Sequence, residues 1–558
     1  MQNLSAEEQL QEVARGYFGD FYEAFPVAAT TLGVHAYDGT LGSYDPGVVS
    51  DRLASLRETQ QRLNLIDTSE LSLSSHIDYR LVDSHIKLAF SWYTQTQEWR
   101  RNPNFYAEIP LYGVFMLLAR EFAPVEERAK SVLSRLDDVP RLLTMARANV
   151  ENPPRVFTEV AIQTVHGGIG FFQNAVPEFA NTVPHLSQRI LQANQRALDA
   201  CHDFLAFLQQ DLLPRSKGHF AVGREHFEDR LFLEHAVEMS AAQLQHIGQK
   251  LFDETEKQLR ELAVEIDRGK NWSDIVEEAK AEHPSANRLL DSYVDELQRL
   301  RSHILAQNIV TVPPNEELEP AYTPTFARST LPYAAYEPPA PFENRQKGQF
   351  WVTPVDTTKT KEQQEAELRE HSYFALPVIA LHEAYPGHHV QMVTSNNSSS
   401  FIRKHVASNI LCEGWAFYCE GLIQKTGYRP AYIEASSNPE RAHKLFHLFI
   451  LKDALWRAAR VIIDVGLHTE GMSVEEAVRL LTEKVFLSEQ AALAEVRRYT
   501  MSPTQPMSYA LGKLQIMSLR EEFGDLPLRE FHDKLLGGGT IPIKFIREEM
   551  LAKIKGVH

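Results

Sequence analysis

Residues 376–391 read Leu-Pro-Val-Ile-Ala-Leu-His-Glu-Ala-Tyr-Pro-Gly-His-His-Val-Gln. Pro377 suits the first turn of a helix, where its missing N–H costs nothing. A helix carrying His-Glu-x-x-His sets two imidazoles one turn apart on one face, with the Glu beside the first placed to activate a metal-bound water. Here His382 and His388 are six residues apart, and at about 100° per residue a straight helix puts them on different faces. His389 returns to the first face but lies two turns on, roughly 10 Å along the axis, too far to share an ion. Pro386 has no N–H for the helical ladder and Gly387 tolerates unusual dihedrals, so a local bulge is expected between them and the histidines. Removing Pro-Gly leaves His-Glu-Ala-Tyr-His. His382 and His388 are therefore preferred as ligands, with His389 as the alternative ligand or as a donor behind them.

A third ligand is required, and a catalytic zinc keeps its fourth position open for water or substrate. The next helical pattern runs roughly from Arg403 to Lys425 and stops near Gly427. Its apolar stripe passes through Val406, Ile410, position 413, Phe417 and position 420, the steps of four and three that mark a buried face. Positions 413 and 420 are both Glu. Carboxylates on a buried stripe are costly unless a metal, a cation or hydrogen bonds compensate them. Glu413 is thus assigned as the third ligand and Glu420 as a group that orients a ligand. The set implies one zinc ion per chain, with Glu383 as general base.

Around this constellation, apolar residues recur every three or four positions, as in Leu53, Leu56 and Leu63 or Leu251, Leu259, Leu262 and Ile266, and helix is expected to dominate the first 310 residues. Eight prolines at 313, 314, 320, 324, 332, 338, 339 and 341 exclude helix and predict an extended crossing. The chain therefore divides into a helical N-terminal half, 1–310, and a catalytic half, 311–558, read as one continuous unit. Residues 348–355 read as a short strand that Pro354 demotes to an edge or to the end of a sheet. An edge there would pair with an extended peptide. Two glycine-rich stretches, His166-Gly-Gly-Ile-Gly and Gly537-Gly-Gly, lack a phosphate-loop context and are read as loops.

A net charge of −17 argues against non-specific binding of nucleic acid or anionic membranes. No run of about eighteen apolar residues appears, and Met1 to Asp20 alternates apolar and charged residues as a helix does, not as a secretory leader does. Cys201, Cys412 and Cys419 have no zinc-ribbon or disulfide spacing and read as buried or idle thiols of a reducing, cytoplasmic setting.

At His-Glu-Ala-Tyr-Pro-Gly-His-His-Val-Gln (382–391), Glu-Gly-Trp-Ala-Phe-Tyr-Cys-Glu (413–420), Arg-Tyr (498–499) and Ser-Tyr-Ala-Leu-Gly (508–512) the chain resembles the bacterial family known as domain of unknown function 885. The likeness extends to the stretch from Phe25 to His35 and to Leu528-Arg-Glu-Phe-His. That family in turn resembles the glutamate-liganded zinc peptidases. Dipeptidyl peptidase III also carries an insertion before the second His, and Taq-type carboxypeptidases also place two Glu residues seven apart on the second helix. The resemblance implies a mainly α fold, a large helical body with a small β-sheet and a deep cleft around a zincin-like core. It further implies Tyr509, with Arg498 or Tyr499, as stabilisers of a tetrahedral oxyanion. A cleft walled by some 310 residues implies short peptides as substrates, their terminal carboxylate held by Arg345, Lys347 or Arg498. Two other readings stand beside this one: a metal-dependent amidase or esterase acting on a non-peptide metabolite, and a catalytically inactive helical binding protein.

Overall fold

The computed structural model of the protein describes residues 4–324, 328, 331 and 333–555. It is mainly helical with one small sheet. Helix starts follow local chemistry. Ser5 and Glu8, and Ser240 and Gln243, form reciprocal capping boxes that satisfy N–H groups otherwise left open at the first turn. One hydrophobic core lies wholly within residues 41–212 and is built from the helices Pro103–Ala119, Val125–Asn149, Arg155–Asn181 and Pro184–Phe207. Two further cores draw residues from both sides of position 310. In one, Leu10, Phe18, Leu231 and Tyr293 pack with Leu381, Trp415 and Phe531. In the other, the helix Ala241–Ile266 lies along the helix Pro439–Val465, so close that a Cβ on Gly248 would stand 2.9 Å from Val461 Cγ1. The N-terminal helix Ala6–Ala24 reaches the C-terminal half directly, with Phe18 stacked on His405 at 3.7 Å and the Tyr22 hydroxyl bonded to the same ring.

The proline-rich crossing is extended, as expected, but it forms a sheet. Strands β1 (Glu316–Tyr322), β2 (Ala334–Glu337) and β3 (Gln346–Val352) take the order β1-β3-β2, with β3 parallel to β1 and antiparallel to β2. The strand read at 348–355 is thus the central strand, not an edge. Pro354 falls beyond its last residue, and Pro320 sits in β1, where an edge strand spares the missing donor. β1 flanks the whole of β3 and β2 flanks residues 349–352, so along those residues β3 offers no edge to a peptide. Pro332 lies outside the described residues.

The glycine-rich stretch at 166–170 is helical, inside Arg155–Asn181, contrary to the loop reading. Glycine costs a helix about 1 kcal/mol per residue, but Val165, Phe171, Phe172 and Val176 bury the face beside it, and tertiary packing outweighs propensity. At the other stretch Gly537 ends the helix Leu528–Gly537 and the following glycines turn the chain.

Candidate metal centre

The expected bulge is a complete break. The helix Leu376–Glu383, with Pro377 in its first turn, ends where Ala384 leaves helical dihedrals, and a new helix, His388–Asn396, begins after Pro386 and Gly387. Gly387 is packed against the helix it leaves: a Cβ there would lie 1.9 Å from the His382 carbonyl oxygen and 2.4 Å from that of Leu381. No side chain larger than hydrogen fits. The break is satisfied internally, since Gly387 N–H donates to the Leu381 carbonyl at 3.1 Å and Gln391 N–H donates back to Gly387 at 3.2 Å. Trp415 Nε1 donates to the Pro386 carbonyl at 2.8 Å, which ties the break to the helix Asn409–Lys425. That helix begins at Asn409 rather than near 403, after a short turn at Arg403–His405, so Val406 precedes it.

The break turns His388 toward His382, with ring centroids 4.8 Å apart and planes perpendicular. Glu413 Oε2 lies 3.4 Å from His388 Nε2 and 3.7 Å from His382 Nε2, and the donor atoms of the three residues all fall within 4.8 Å of one another. Donors bound at about 2.0–2.1 Å to a tetrahedral ion stand roughly 3.4 Å apart. Glu413 Oε2 is buried and has no hydrogen-bond partner among the described residues. Burial pushes the Glu413 carboxyl up, but the two imidazoles outweigh it and hold it well below the usual carboxylate range. For His388, burial lowers and Cys412 and Glu413 raise, and the balance lies well above an ordinary imidazole; for His382, burial lowers and Glu413 and Glu420 raise, and the balance is again upward. Two imidazoles and an unsatisfied carboxylate oxygen converging in a buried site form a donor set that fits a zinc ion.

Behind these donors each ring is held by its other nitrogen. His382 Nδ1 donates to the fully buried Glu420 at 2.7 Å, and Arg457 Nη2 donates to the same oxygen at 3.1 Å. His388 Nδ1 faces Cys412 Sγ at 3.6 Å. Metal-binding histidines are commonly fixed in this manner, which sets tautomer and ring direction. Cys412, Cys201 and Cys419 are free and buried, as expected, and Cys412 in addition faces a ring nitrogen. His389 is not among the converging donors. Its Nε2 donates to Glu316 at 2.7 Å and its Nδ1 accepts from the Tyr336 hydroxyl at 2.9 Å. Glu316 also accepts from Tyr385 and Arg301; burial raises its carboxyl, but these donors hold it down at about 2. Glu383 is half-buried at the end of its helix, and its charge is near enough to contribute to raising Tyr336 and Cys412, for both of which burial is the larger cause.

Tyr509 reaches the centre through a helix crossing. Gly414 and Gly512 meet where Asn409–Lys425 crosses Ser508–Glu522, and a Cβ on Gly414 would stand 2.5 Å from Gly512 Cα. The crossing lays the Tyr509 ring along His382 at 6.3 Å, planes 19° apart. Arg460 and Arg457 lie on the same tyrosine at 4.6 and 5.8 Å.

The remaining expected site residues stand elsewhere. Tyr499 is fully buried, and its hydroxyl receives Arg460 Nε at 2.8 Å and donates to Glu495 at 2.5 Å, so it braces Arg460 and is closed to a substrate. Arg498 is partly exposed and paired with Glu495 and Gln505. Arg345 and Lys347 pair with Glu317 and Glu319 of β1 across the sheet, so their charges are already partnered. Arg457 and Arg460 escaped the sequence reading, although the pattern that exposed Glu413 was there for them too: Asp453, Arg457, Arg460 and Asp464 form one charged stripe on the otherwise apolar second half, 453–465, of the helix Pro439–Val465.

The whole architecture is similar to that of two solved structures. A "putative lipoprotein of unknown function" from Shewanella oneidensis is 24% identical, with 97% of this chain and 99% of that chain covered and a TM-score of 0.78. A "putative lipoprotein" from Colwellia psychrerythraea is 19% identical, with 99% and 100% covered and a TM-score of 0.81. At these identities the likeness is one of fold. No curated protein matches the sequence. The model of the family described as "Bacterial protein of unknown function (DUF885)" matches residues 26–550.

Proposed function

The chain belongs to the bacterial family DUF885, and from that membership and the centre described above we propose that it is a zinc-dependent metallohydrolase, a peptidase that cleaves short peptides. The observation that carries this reading is the meeting of His382 Nε2, His388 Nε2 and Glu413 Oε2 around one point, at 3.4 and 3.7 Å from the carboxylate oxygen, with no hydrogen bond among them. These three residues would hold one zinc per chain. Zinc there supplies a Lewis acid that polarises an amide carbonyl and eases deprotonation of water at neutral pH.

The protein's own groups do the rest. Glu383 takes the proton of the attacking water on its carboxylate and passes it to the nitrogen of the leaving amine. Tyr509, whose hydroxyl has no hydrogen bond among the described residues, donates to the carbonyl oxygen as negative charge gathers there. Glu420 keeps the Nδ1 hydrogen of His382 in place, so that Nε2 presents its lone pair, and Arg457 holds Glu420. The polar network of Glu316, His389, Tyr385 and Tyr336 ties the sheet to the two histidine helices.

Metal analysis of the purified protein, joined to mass-spectrometric profiling of a mixed peptide library, tests the reading. The expected result is about one zinc per chain and zinc-dependent new peptide termini. Zinc-dependent turnover of simple esters or amides with no peptide cleaved would move the assignment to a non-peptide hydrolase. No bound metal and no turnover would leave a binding protein.

A further inference from the structure

One wall of the centre carries a cation that the hydrolytic chemistry leaves unused. Arg457 is committed, with Nη2 on Glu420 at 3.1 Å and Nη1 3.5 Å from Asp453. Arg460, one turn further along the same face, is only partly committed. Its Nε donates to the Tyr499 hydroxyl at 2.8 Å and its Nη2 to Glu495 at 3.1 Å, while Nη1 makes no hydrogen bond among the described residues. A guanidinium offers five donors in a planar fork suited to a carboxylate. The side chain is 8% exposed, and an anion best compensates a guanidinium so enclosed.

Its surroundings aim the fork. The guanidinium lies 4.5 Å from the Trp456 ring and 4.6 Å from the Tyr509 ring, and Tyr509 is itself laid along His382. Arg460 is therefore one aromatic ring removed from a zinc-binding imidazole. An extended residue covers about 3.3–3.6 Å, and the steps of 4.6 Å to the Tyr509 ring and 6.3 Å on to His382 bound the gap, so no more than about three residues bridge it from a bond cleaved at the centre.

Resting on the peptidase reading above, we infer that Arg460 receives the α-carboxylate of the substrate's C-terminus, and that the protein removes a short piece, of no more than about three residues, from that end of a peptide. Tyr499 and Glu495 fix the fork, and Trp456 and Tyr509 flank it. The same chemistry is offered by an acidic side chain near the cleaved bond, and the test separates the two.

Calorimetric titration of the metal-free protein with acetyl-Ala-Ala as free acid and as C-terminal amide reads the carboxylate contact without metal or turnover. The free acid is expected to bind about 10–100-fold more tightly than the amide. Arg460→Gln should bring the acid down to the level of the amide, and Arg460→Lys should restore only a minor part, because a point charge lacks the fork. A free acid that binds no better than the amide in the native protein overturns the inference, and that comparison needs no variant. A preference that survives Arg460→Gln overturns it as well. An acetyl-Ala-Asp amide that binds as tightly as the free acid overturns the C-terminal assignment in favour of an acidic side chain. Failure to cleave any peptide in the zinc-loaded state would instead count against the peptidase reading.

Discussion

Glu420, fully buried, accepts the Nδ1 hydrogen of His382 at 2.7 Å and shares the accepting oxygen with Arg457. The imidazole is thereby locked in the tautomer that leaves Nε2 free for a metal. Glu420→Ala should weaken zinc binding about 10–100-fold while the fold persists, as removal of such supporting groups does elsewhere. Competition with a chelator of known affinity measures it; unchanged affinity would make Glu420 a structural partner of Arg457 alone.

Glu413→Ala should cost most of the bound zinc, since it removes one of three donors and leaves two imidazoles without their carboxylate. Elemental analysis after dialysis against zinc is the measurement. Full occupancy in the variant would remove Glu413 from the ligand set.

Glu383→Gln should keep the metal and lose turnover by about 10²–10⁴, because the amide preserves shape but cannot take a proton. Near-normal rates at full zinc occupancy would sink the assigned role.

Two glycine substitutions should move stability in opposite directions. In Gly512→Ala the added carbon would lie 1.9 Å from the Ile410 carbonyl oxygen and 2.7 Å from Gly414 Cα, both backbone atoms, so a loss of about 3 kcal/mol or more is expected. Gly167→Ala, in the interior of a helix with nothing within 4 Å of the new carbon, should gain about 0.5–1 kcal/mol. Urea denaturation of both variants checks the contrast.

His35 ties the N-terminal half to the segment between β2 and β3. Its ring stacks on Phe122 at 3.6 Å, with Nδ1 2.9 Å from Asp38 and Nε2 3.4 Å from Glu343. Burial lowers the imidazole, but the two carboxylates prevail and raise it to about 9. A folded value above the unfolded one stabilises fully below about pH 6.5, and that stabilisation is lost as pH rises through about 9. With 27% of the side chain exposed, its size is discounted to about 1–3 kcal/mol. The stability difference between the native protein and His35→Gln should therefore shrink between pH 6.5 and 9. A difference that stays constant over that window would assign it to lost stacking.

Helix was legible wherever apolar residues kept their period, and the converging donors were legible because Glu413 and Glu420 stood on a stripe that had no reason to carry charge. The rest depended on relations between elements. Whether Tyr509 faces the centre is decided by the angle at which Ser508–Glu522 crosses Asn409–Lys425, which two glycines set and no local pattern announces. Arg345 and Lys347 looked free because their partners, Glu317 and Glu319, are brought opposite them only by a parallel pairing across the crossing. The central place of β3 was hidden for the same reason, since β1 carries three glutamates and a proline and β2 is only four residues long.

Phe18, stacked on His405, has a practical consequence for dissecting the molecule. His405 lies in the stretch of chain that carries the path from His388 to Glu413, so the packing that seats two donors is completed by a helix from the opposite end of the sequence. Expressing residues 311–558 alone would expose that ring and the apolar residues beside it to water, and the fragment would aggregate rather than bind metal. Deletions for crystallography or tagging are better placed in surface turns than at the first helix, and proteolytic nicking within residues 6–24 should silence the protein as surely as a cut beside the histidines.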